Sequence, residues 1–250
     1  MMQNHTQLKN EAESKGNDNH KDYTKFVIVS HARSGSNLLL NSLNSHYNLK
    51  AEHEIFAAHN RNIGENFEPT LNNLYGERAA NIHAVGCKIF YYHLNSSEWQ
   101  KMSKIPNLKV IHLKRKNRLS MIVSMKVAFK TSQWGITEES ERIDASEKQV
   151  YLDYDFLNNS FANIKKWEEE TEKMFDPANI CNIYYEELTS KYAETVTSLF
   201  DFLGVNRIPV EQIKSRHKKQ NPEPLSQLIQ NFDELKLKFA NTPWEDYFNC

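Results

Sequence analysis

The chain lacks any long hydrophobic run: in its 250 residues no apolar stretch approaches the roughly 18 residues that a membrane span requires. The N-terminus also lacks the apolar core of a secretory signal peptide. Its three cysteines, Cys87, Cys181 and Cys250, are far apart and odd in number, which favours neither a disulfide framework nor a zinc site. These absences predict a cytoplasmic protein in a reducing compartment, without a transmembrane segment.

An excess of basic residues is also missing. The chain has 31 Lys and Arg residues against 32 Asp and Glu residues, which gives a formal net charge of −1. A dedicated nucleic-acid binder would show a basic excess, so no nucleic-acid partner is expected and any anion site must be local. Residues 1–22 hold almost nothing apolar and are predicted to form a disordered tail, whereas residues 23–250 suffice for one large domain.

One stretch of the chain combines a strand, a small polar turn and a helix. Residues 26–30 (FVIVS) are typical of a strand that is buried on both faces. Gly35 allows a tight turn, and Ser34 and Ser36 are expected to cap the helix that follows. The first N–H groups of such a helix bind phosphate or sulfate. The nucleotide-kinase loop G-x-x-x-x-G-K-[ST] is not matched, because its first Gly and its Lys are missing, so Arg33 is predicted to be the cation of this loop.

Strands alternate with helices along the rest of the chain, and this order predicts an α/β fold with a mainly parallel sheet. A short extended piece is expected over residues 49–56, and residues 60–81 are predicted to form a loop with one modest helix. The other predicted strands are 83–93, 108–113 and 180–185. The other predicted helices are 36–46, 96–104, 117–131, 145–175, 186–203 and 225–240.

A second strand, residues 108–113, also ends in a basic turn that leads into a helix. Arg115 lies in this turn and Ser124 lies nine residues later, on the helix. A Ser in the middle of a helix and aimed at a cationic turn is poorly explained by packing, whereas a phosphate needs donors that converge from both. The alternative is a solvated basic turn with a Ser that bonds to its own helix.

His53, Glu54 and His59 lie close together and invite comparison with the zinc motif H-E-x-x-H. The two histidines of that motif must be four residues apart to share one helix face, and here they are six apart. No metal site is therefore predicted.

These segments together resemble the sulfotransferases that depend on 3′-phosphoadenosine 5′-phosphosulfate (PAPS), specifically the bacterial carbohydrate sulfotransferases of the Stf0 and NodH type. The loop of that family reads much like R-S-G-S-T-L-L, and only Asn37 departs from it. The resemblance implies a P-loop-like three-layer sandwich with a mainly parallel sheet, and it covers almost everything beyond the tail. Weaker matches to the family are 86–90 (GCKIF), 185–188 (YEEL) and 219–222 (KQNP) with 231–232.

The resemblance implies transfer of a sulfuryl group from PAPS to a hydroxyl acceptor, without a metal, and release of adenosine 3′,5′-bisphosphate (PAP). It implies that the first loop holds the 5′-phosphosulfate and that the basic turn holds the 3′-phosphate. Either Arg115 or Lys116 would make the main contact with the 3′-phosphate. The donor-binding residues implied are Arg33, Ser34, Gly35, Ser36, Asn37, Leu38, Arg115, Lys116, Ser124 and Lys219.

The resemblance implies that Arg33 is catalytic. It also implies that Glu54 is the general base that takes the proton of the acceptor. Glu54 lies 21 residues after Arg33 and precedes two apolar residues, as in the family. Those neighbours would partly desolvate the carboxylate, which suits a proton acceptor. His93 is the rival, because the cytosolic sulfotransferases use a His, and Glu52 and His53 are lesser candidates. The alternative for Glu54 is a structural ion pair.

The acceptor is the least defined partner. The resemblance favours a sugar or glycolipid, while small metabolites and tyrosyl peptides remain open. Residues 60–81 and 134–146 are expected to build the acceptor pocket. Two other functions remain open, a P-loop phosphotransferase and a non-catalytic nucleotide-binding relative. The sequence also leaves open a homo-oligomer.

Overall fold

A parallel sheet forms the centre of the protein. The computed structural model describes residues 19–136, 138, 141–213 and 220–249. The strands are β1 (Asn19–His20), β2 (Thr24–Ser30), β3 (Leu49–Glu52), β4 (Arg78–Ala79), β5 (Ala84–Phe90), β6 (Lys109–Lys114) and β7 (Ile180–Tyr184). Five of them form one sheet in the order β3-β5-β2-β6-β7, and every pairing in it is parallel. The structure confirms the predicted α/β class.

Helices cover both faces of this sheet. They are α1 (Ser36–Leu43), α2 (Phe67–Leu74), α3 (Ser96–Ser103), α4 (Arg118–Thr131), α5 (Ala145–Lys148), α6 (Tyr154–Met174), α7 (Tyr185–Ser190), α8 (Tyr192–Leu203), α9 (Leu225–Leu228) and α10 (Phe232–Phe239). Alternate side chains of β2 point to opposite faces. Phe26 and Ile28 pack with side chains of α1 and α8, whereas Val27 and Val29 pack with side chains of α2 and α3. The sheet and its two helical faces make the three layers that were expected.

A third apolar cluster lies around α4, α6, α9 and α10. It contains buried side chains from each of these helices, among them Ile122, Phe161, Leu228 and Phe239. Because α4 follows the basic turn after β6, this cluster fixes the helix that carries one of the predicted anion-binding groups.

The predicted single helix over 145–175 is wrong. Helix α5 ends at Lys148, and the chain is then extended through Val150, whose N–H donates to the carbonyl oxygen of Leu228 at 2.8 Å. Helix α6 begins only after Asp153, whose side chain accepts an N–H from its first turn. The amphipathic pattern runs across the break because the extended residues are also partly buried, so periodicity alone does not reveal it.

Other predicted boundaries also need correction. The extended piece over 49–56 ends at Glu52, and His53 already accepts a turn hydrogen bond from the N–H of Ile55. The helices predicted over 186–203 and 225–240 are each split, into α7 with α8 and into α9 with α10. The break between α9 and α10 is held by Asn231. Its side chain accepts the N–H of Leu152 and donates to the carbonyl oxygen of the same residue.

Short strands at the start of the described region pair away from the main sheet. Strand β1 pairs antiparallel with β4, so two residues of the predicted tail, Asn19 and His20, lie in a strand. The rest of that tail, residues 1–18, is outside the described residues. Among the helices that the structure describes, none is long and apolar enough to cross a membrane.

Glycine is required at one point of the sheet. A Cβ atom on Gly86 in β5 would lie 2.4 Å from the carbonyl oxygen of Phe26 in β2. This confirms the close backbone approach that a Gly within a strand predicts. It also fixes the spacing between the two strands whose carboxyl ends carry predicted site residues.

Candidate active site

The carboxyl ends of β2, β5 and β6 open into one cavity of about 1070 Å³. Ligands of open parallel α/β sheets bind at this edge. The walls come from the loop after β2, the turns after β5 and β6, helix α4 and residues 220–225. The predicted site residues that line the cavity are Arg33, Gly35, Ser36, Asn37, Leu38, Glu54, His93, Arg115 and Ser124.

The loop after β2 has the strained backbone that an anion-binding turn requires. Gly35 has a φ of 89°, and a Cβ atom there would lie 2.4 Å from the ring of Tyr185. Arg33 also has a positive φ, of 66°, which is uncommon for a residue with a side chain. The predicted caps are not formed, because Ser34 donates to the carbonyl oxygen of His31 at 2.7 Å and no side chain caps α1. The first N–H groups of α1 are therefore not occupied by a capping side chain.

The guanidinium of Arg33 joins three other parts of the cavity wall. Its Nε donates to Oγ of Ser124 at 3.0 Å, and its Nη1 donates to the carbonyl oxygen of Trp134 at 2.6 Å. Its Nη2 donates to the side-chain oxygen of Gln220. Burial, with Arg115 as a second cause, lowers the pKa of Arg33 to about 10, so the group stays cationic at neutral pH. Ser124 thus contacts the loop cation directly.

Of the two cations that the sequence leaves open in the basic turn, Arg115 lines the cavity. Its Nη1 donates to the carbonyl oxygen of Arg33 at 3.1 Å, and its guanidinium lies 4.6 Å from the centre of the Tyr185 ring. Lys116 lies outside the cavity: its Nζ is 3.0 Å from the carboxylate of Glu187, and the side chain is 54% exposed. Another predicted donor-binding cation, Lys219, is outside the described residues.

The backbone of the basic turn is held by an acidic residue of α7. Oε2 of Glu186 accepts the N–H of Lys116 at 3.0 Å, and Oε1 accepts the N–H of Asn117 at 3.4 Å. The same α7 begins with Tyr185, which packs against both Gly35 and Arg115. The Y-E-x-L match therefore marks residues that support both the loop after β2 and the basic turn after β6.

Glu54 lines the cavity beside a buried cation. Nζ of Lys88 is 2.8 Å from Oε1 of Glu54, and it also donates to Oδ1 of Asn37. The Lys88 side chain is 1% exposed, and burial lowers its pKa despite the nearby carboxylate. Asn37, the one departure from the family loop, thus connects α1 to the group around Glu54.

His93 lies close to Glu54, but its ring nitrogens are not equivalent. Nε2 is 3.9 Å from Oε2 of Glu54, and Nδ1 accepts the backbone N–H of Phe90 at 3.2 Å. A neutral imidazole that accepts at Nδ1 carries its proton on Nε2. Burial lowers the pKa of His93 to about 4, against the smaller opposite effect of Glu54, so the ring is neutral at pH 7. In this form Nε2 donates and has no free lone pair for a proton.

Sequence reasoning gave several cavity residues no role. Lys88 belongs to the weak G-x-K match, and a Lys inside an otherwise apolar strand is itself a signal of a buried functional cation. Gln220 and Asn221 lie in the weak 219–222 match, which implies no role for either residue, and only the folded chain brings them to Arg33 and Ser124. The aromatic side chains that line the cavity are Phe90, Tyr92, Phe129, Trp134 and Tyr185.

Two known proteins are similar to this chain in sequence. The chain is 27% identical over 237 residues to nodulation protein H of Rhizobium meliloti, which covers 89% of this chain and 94% of that protein. It is 25% identical over 236 residues to nodulation protein H of Rhizobium tropici, with 89% and 92% covered. Both relatives therefore match this chain along nearly their whole length.

Solved structures share the fold. A sulfotransferase from Alicyclobacillus acidocaldarius superposes with a TM-score of 0.53 at 14% identity, covering 90% of this chain and 94% of that one. Mouse sulfotransferase SULT7A1, solved in complex with PAP, superposes with a TM-score of 0.50 at 17% identity, covering 97% and 93%. The three-layer arrangement around the cavity is therefore the sulfotransferase fold.

The family assignment follows from the sequence itself. The profile of the sulfotransferase domain family matches residues 23–246, which include the loop after β2, the basic turn, Glu54 and nearly all of the described chain. The chain belongs to the sulfotransferase domain family and is a sulfotransferase enzyme.

Proposed function

We propose that this enzyme transfers the sulfuryl group of PAPS to a hydroxyl group of a carbohydrate and releases PAP. The carbohydrate is a sugar or a glycolipid. The observation that carries the proposal is that two turns, each with an arginine, and one carboxylate line a single cavity. The carboxylate is Glu54, and the turns contain Arg33 and Arg115. A cavity of about 1070 Å³ also has room for a nucleotide and part of an acceptor.

The donor is proposed to bind along the two turns. The N–H groups at the start of α1 and the guanidinium of Arg33 suit the 5′-phosphosulfate, because a helix N-terminus favours anions. Arg115 and Ser124 suit the 3′-phosphate, since a guanidinium and a hydroxyl supply charge-assisted and neutral donors from two sides. PAP in the mouse neighbour is compatible with this choice of nucleotide.

Glu54 is the better candidate for the general base. Its carboxylate has free acceptor capacity and faces the cavity, whereas neutral His93 carries its proton on the nitrogen that faces Glu54. A base must have a lone pair for the proton that it takes. His93 is therefore assigned to orient Glu54 or the acceptor by donating from Nε2.

The reaction is proposed as a direct transfer. The acceptor oxygen forms a bond to sulfur while the bond between sulfur and the 5′-phosphate oxygen breaks. The hydroxyl proton passes to Glu54, and the electron pair of the broken bond stays on PAP. Lys88 lies between Glu54 and Asn37 of the donor loop, where its charge stabilises the oxygens of the transferring group. Positioning and charge stabilisation supply most of the catalysis, as in phosphoryl transfer.

A carbohydrate acceptor suits the aromatic part of the cavity. Tyr92, Phe129 and Trp134 line it with 46%, 65% and 50% of their surfaces exposed, and the rings of Phe129 and Trp134 meet edge to face at 4.9 Å. The ring of Tyr92 meets that of His93 edge to face at 5.3 Å, whereas Trp134 lies at Arg33. Exposed aromatic faces in the cavity offer an apolar surface for the C–H face of a sugar ring, and their polar neighbours offer partners for its hydroxyl groups. The motif resemblance to carbohydrate sulfotransferases supports the same class.

The test is an acceptor screen with isotopically labelled PAPS, read by mass spectrometry. The expected result is sulfation of a sugar or glycolipid, with no requirement for added divalent metal and with PAP as the second product. Sulfation of phenols or tyrosyl peptides alone would replace the carbohydrate assignment. Turnover with ATP and Mg²⁺ but not with PAPS would replace the donor assignment with a phosphotransferase.

A further inference from the structure

A fully buried ion pair lies directly behind Glu54 and His93. The side chains of Arg61 and Glu98 are 2% and 3% exposed, and they meet through two parallel hydrogen bonds of 2.7 and 3.0 Å. Neither residue lines the cavity. A bidentate pair of this kind is the strongest and most directional contact between charged side chains.

Every donor of Arg61 is used, and two of its contacts are to the backbone of catalytic segments. Nε donates to the carbonyl oxygen of Phe56, two residues after Glu54, at 3.1 Å. Nη2 donates to the carbonyl oxygen of His93 at 3.0 Å, and Nη1 completes the set with the carbonyl oxygen of Asn62 at 3.3 Å. The guanidinium therefore joins the two segments that carry Glu54 and His93.

Glu98 is equally saturated. Its Oε1 accepts the N–H of Gly64 at 2.8 Å, and its Oε2 accepts the N–H of Asn95 at 3.0 Å, in addition to the bonds from Arg61. Burial opposes the charge, but these hydrogen bonds outweigh burial and lower the pKa of Glu98. Asn95 in turn caps α3 in a reciprocal capping box with Glu98. The pair is thus anchored to a rigid helix start.

We infer that Arg61 and Glu98 are positioning residues that set the distance between Glu54 and His93 in the catalytic group. The inference rests on the proposed role of Glu54. Residues 53–57, 61–64 and 91–95 lie in turns and not in strands of the main sheet. The Arg61–Glu98 pair bonds to all three segments, and this gives them a common anchor in addition to the contact of Lys88 with Glu54. A displacement of about 1 Å at a reacting group costs on the order of 100-fold in rate, so such a device affects kcat from outside the cavity.

The test uses Arg61→Lys and Glu98→Gln. Lys keeps the charge but loses the planar fork, and Gln offers an amide where the pair needs an acceptor for two N–H groups. For each variant we expect kcat to fall roughly 10- to 100-fold, with PAP affinity by calorimetry within about twofold of the wild type. We also expect the pH profile of kcat to change shape, because the contact of Glu54 with its neighbours changes.

A readout independent of turnover comes from the histidines. In ¹⁵N-histidine NMR spectra, with His93 assigned through His93→Asn, the wild type should show His93 protonated on Nε2. Both variants should shift these signals and leave those of buried His112 unchanged. Glu168→Gln is the matched control, since Glu168 pairs with Arg118 in a largely buried bridge that is also outside the cavity. This control should lower stability without changing kcat or the His93 signals.

The outcomes separate the two claims. If Glu54→Gln keeps normal turnover, the proposed base is wrong, whatever happens at Arg61. If Glu54→Gln is inactive while Arg61→Lys and Glu98→Gln keep both kcat and the His93 signals, the positioning role is wrong and the base assignment stands. A loss of folding in Glu98→Gln leaves Arg61→Lys as the deciding variant, because it retains the buried charge pair.

Discussion

Nζ of Lys88 lies 2.8 Å from Oε1 of Glu54 and contacts Oδ1 of Asn37, so one buried ammonium joins Glu54 to the helix that follows the loop after β2. Removal of this ammonium tests whether it stabilises charge during the transfer without contributing to donor binding. For Lys88→Met we expect kcat to fall about 10²- to 10³-fold, as for the loss of one stabilising donor in a transition state. PAP affinity measured by calorimetry should change little.

The control for that variant is Lys109→Met. Lys109 also lies in a strand of the sheet, at the end of β6 away from the cavity, and bonds to Asn179. It should keep wild-type turnover. Equal losses in the two variants would mean that Lys88 serves only the stability of the sheet.

Two nearly isosteric variants distinguish the role of Glu54 from that of His93. Glu54→Gln removes the proposed proton acceptor, so we expect kcat to fall by about 10²- to 10⁴-fold with PAP affinity nearly unchanged. His93→Asn removes only a donor that orients, and its loss should be smaller. Turnover is measured with the best acceptor of the screen. A silent Glu54→Gln beside a crippled His93→Asn would transfer the role of base to His93.

Nucleotide discrimination tests the basic turn. Arg115→Ala should weaken PAP binding by roughly 1.5 to 3 kcal/mol while binding of 5′-AMP changes little, because only PAP has the 3′-phosphate. Lys116→Ala is the matched control, since Lys116 points away from the cavity toward Glu187. Titration calorimetry that shows the loss in Lys116→Ala instead would reverse the assignment of the two cations.

Alanine substitutions at two glycines with positive φ distinguish the cost of backbone strain from the cost of a steric clash. Gly35 and Gly204 have φ of 89° and 71°, but a Cβ on Gly35 would meet the Tyr185 ring at 2.4 Å, whereas the nearest atom to one on Gly204 is 3.8 Å away. Gly204→Ala should cost about 1 kcal/mol of unfolding free energy and keep PAP affinity. Gly35→Ala should cost more and also weaken PAP binding. Thermal unfolding and calorimetry measure both, and unchanged PAP affinity in Gly35→Ala would contradict a role of this turn in the donor site.

Stability should fall as the solution becomes acidic. Burial, with Lys114 as a second cause, lowers the pKa of fully buried His112 to about 4, against about 6.5 in an unfolded chain. Between these two pKa values the unfolded state binds more protons than the folded state. The unfolding free energy therefore decreases as the pH is lowered. From about pH 7.5 to about pH 5 we expect His112 to contribute a loss of about 2 kcal/mol. Urea unfolding of wild type and His112→Gln at both pH values should show a weaker pH dependence in the variant, and identical slopes would exclude His112 as the cause.

The sequence predicted best what depends on local pattern. The apolar strand over residues 26–30, the turn at Gly35 and the helix stop at Gly204 all rest on short-range chemistry, and the structure confirms them. The breaks at Val150 and Ile229 were missed because they are fixed by bonds between distant segments.

The site shows the same division. Arg33, Glu54 and Arg115 could be identified from motifs and spacing, and all three line the cavity. The contact of Gln220 with Arg33 and that of Arg61 with His93 join residues 187 and 32 positions apart, so no local pattern specifies either contact.

The central position of β2 has a consequence for biosynthesis. This strand is made before β5 and β6, its two partners in the sheet, and long before residues 220–225, which close the cavity. Chains emerge from the ribosome N-terminal end first. A nascent chain therefore exposes the loop after β2 while most of the enclosing walls are still untranslated. The cavity is complete only near the end of translation, once residues 220–225 have been made.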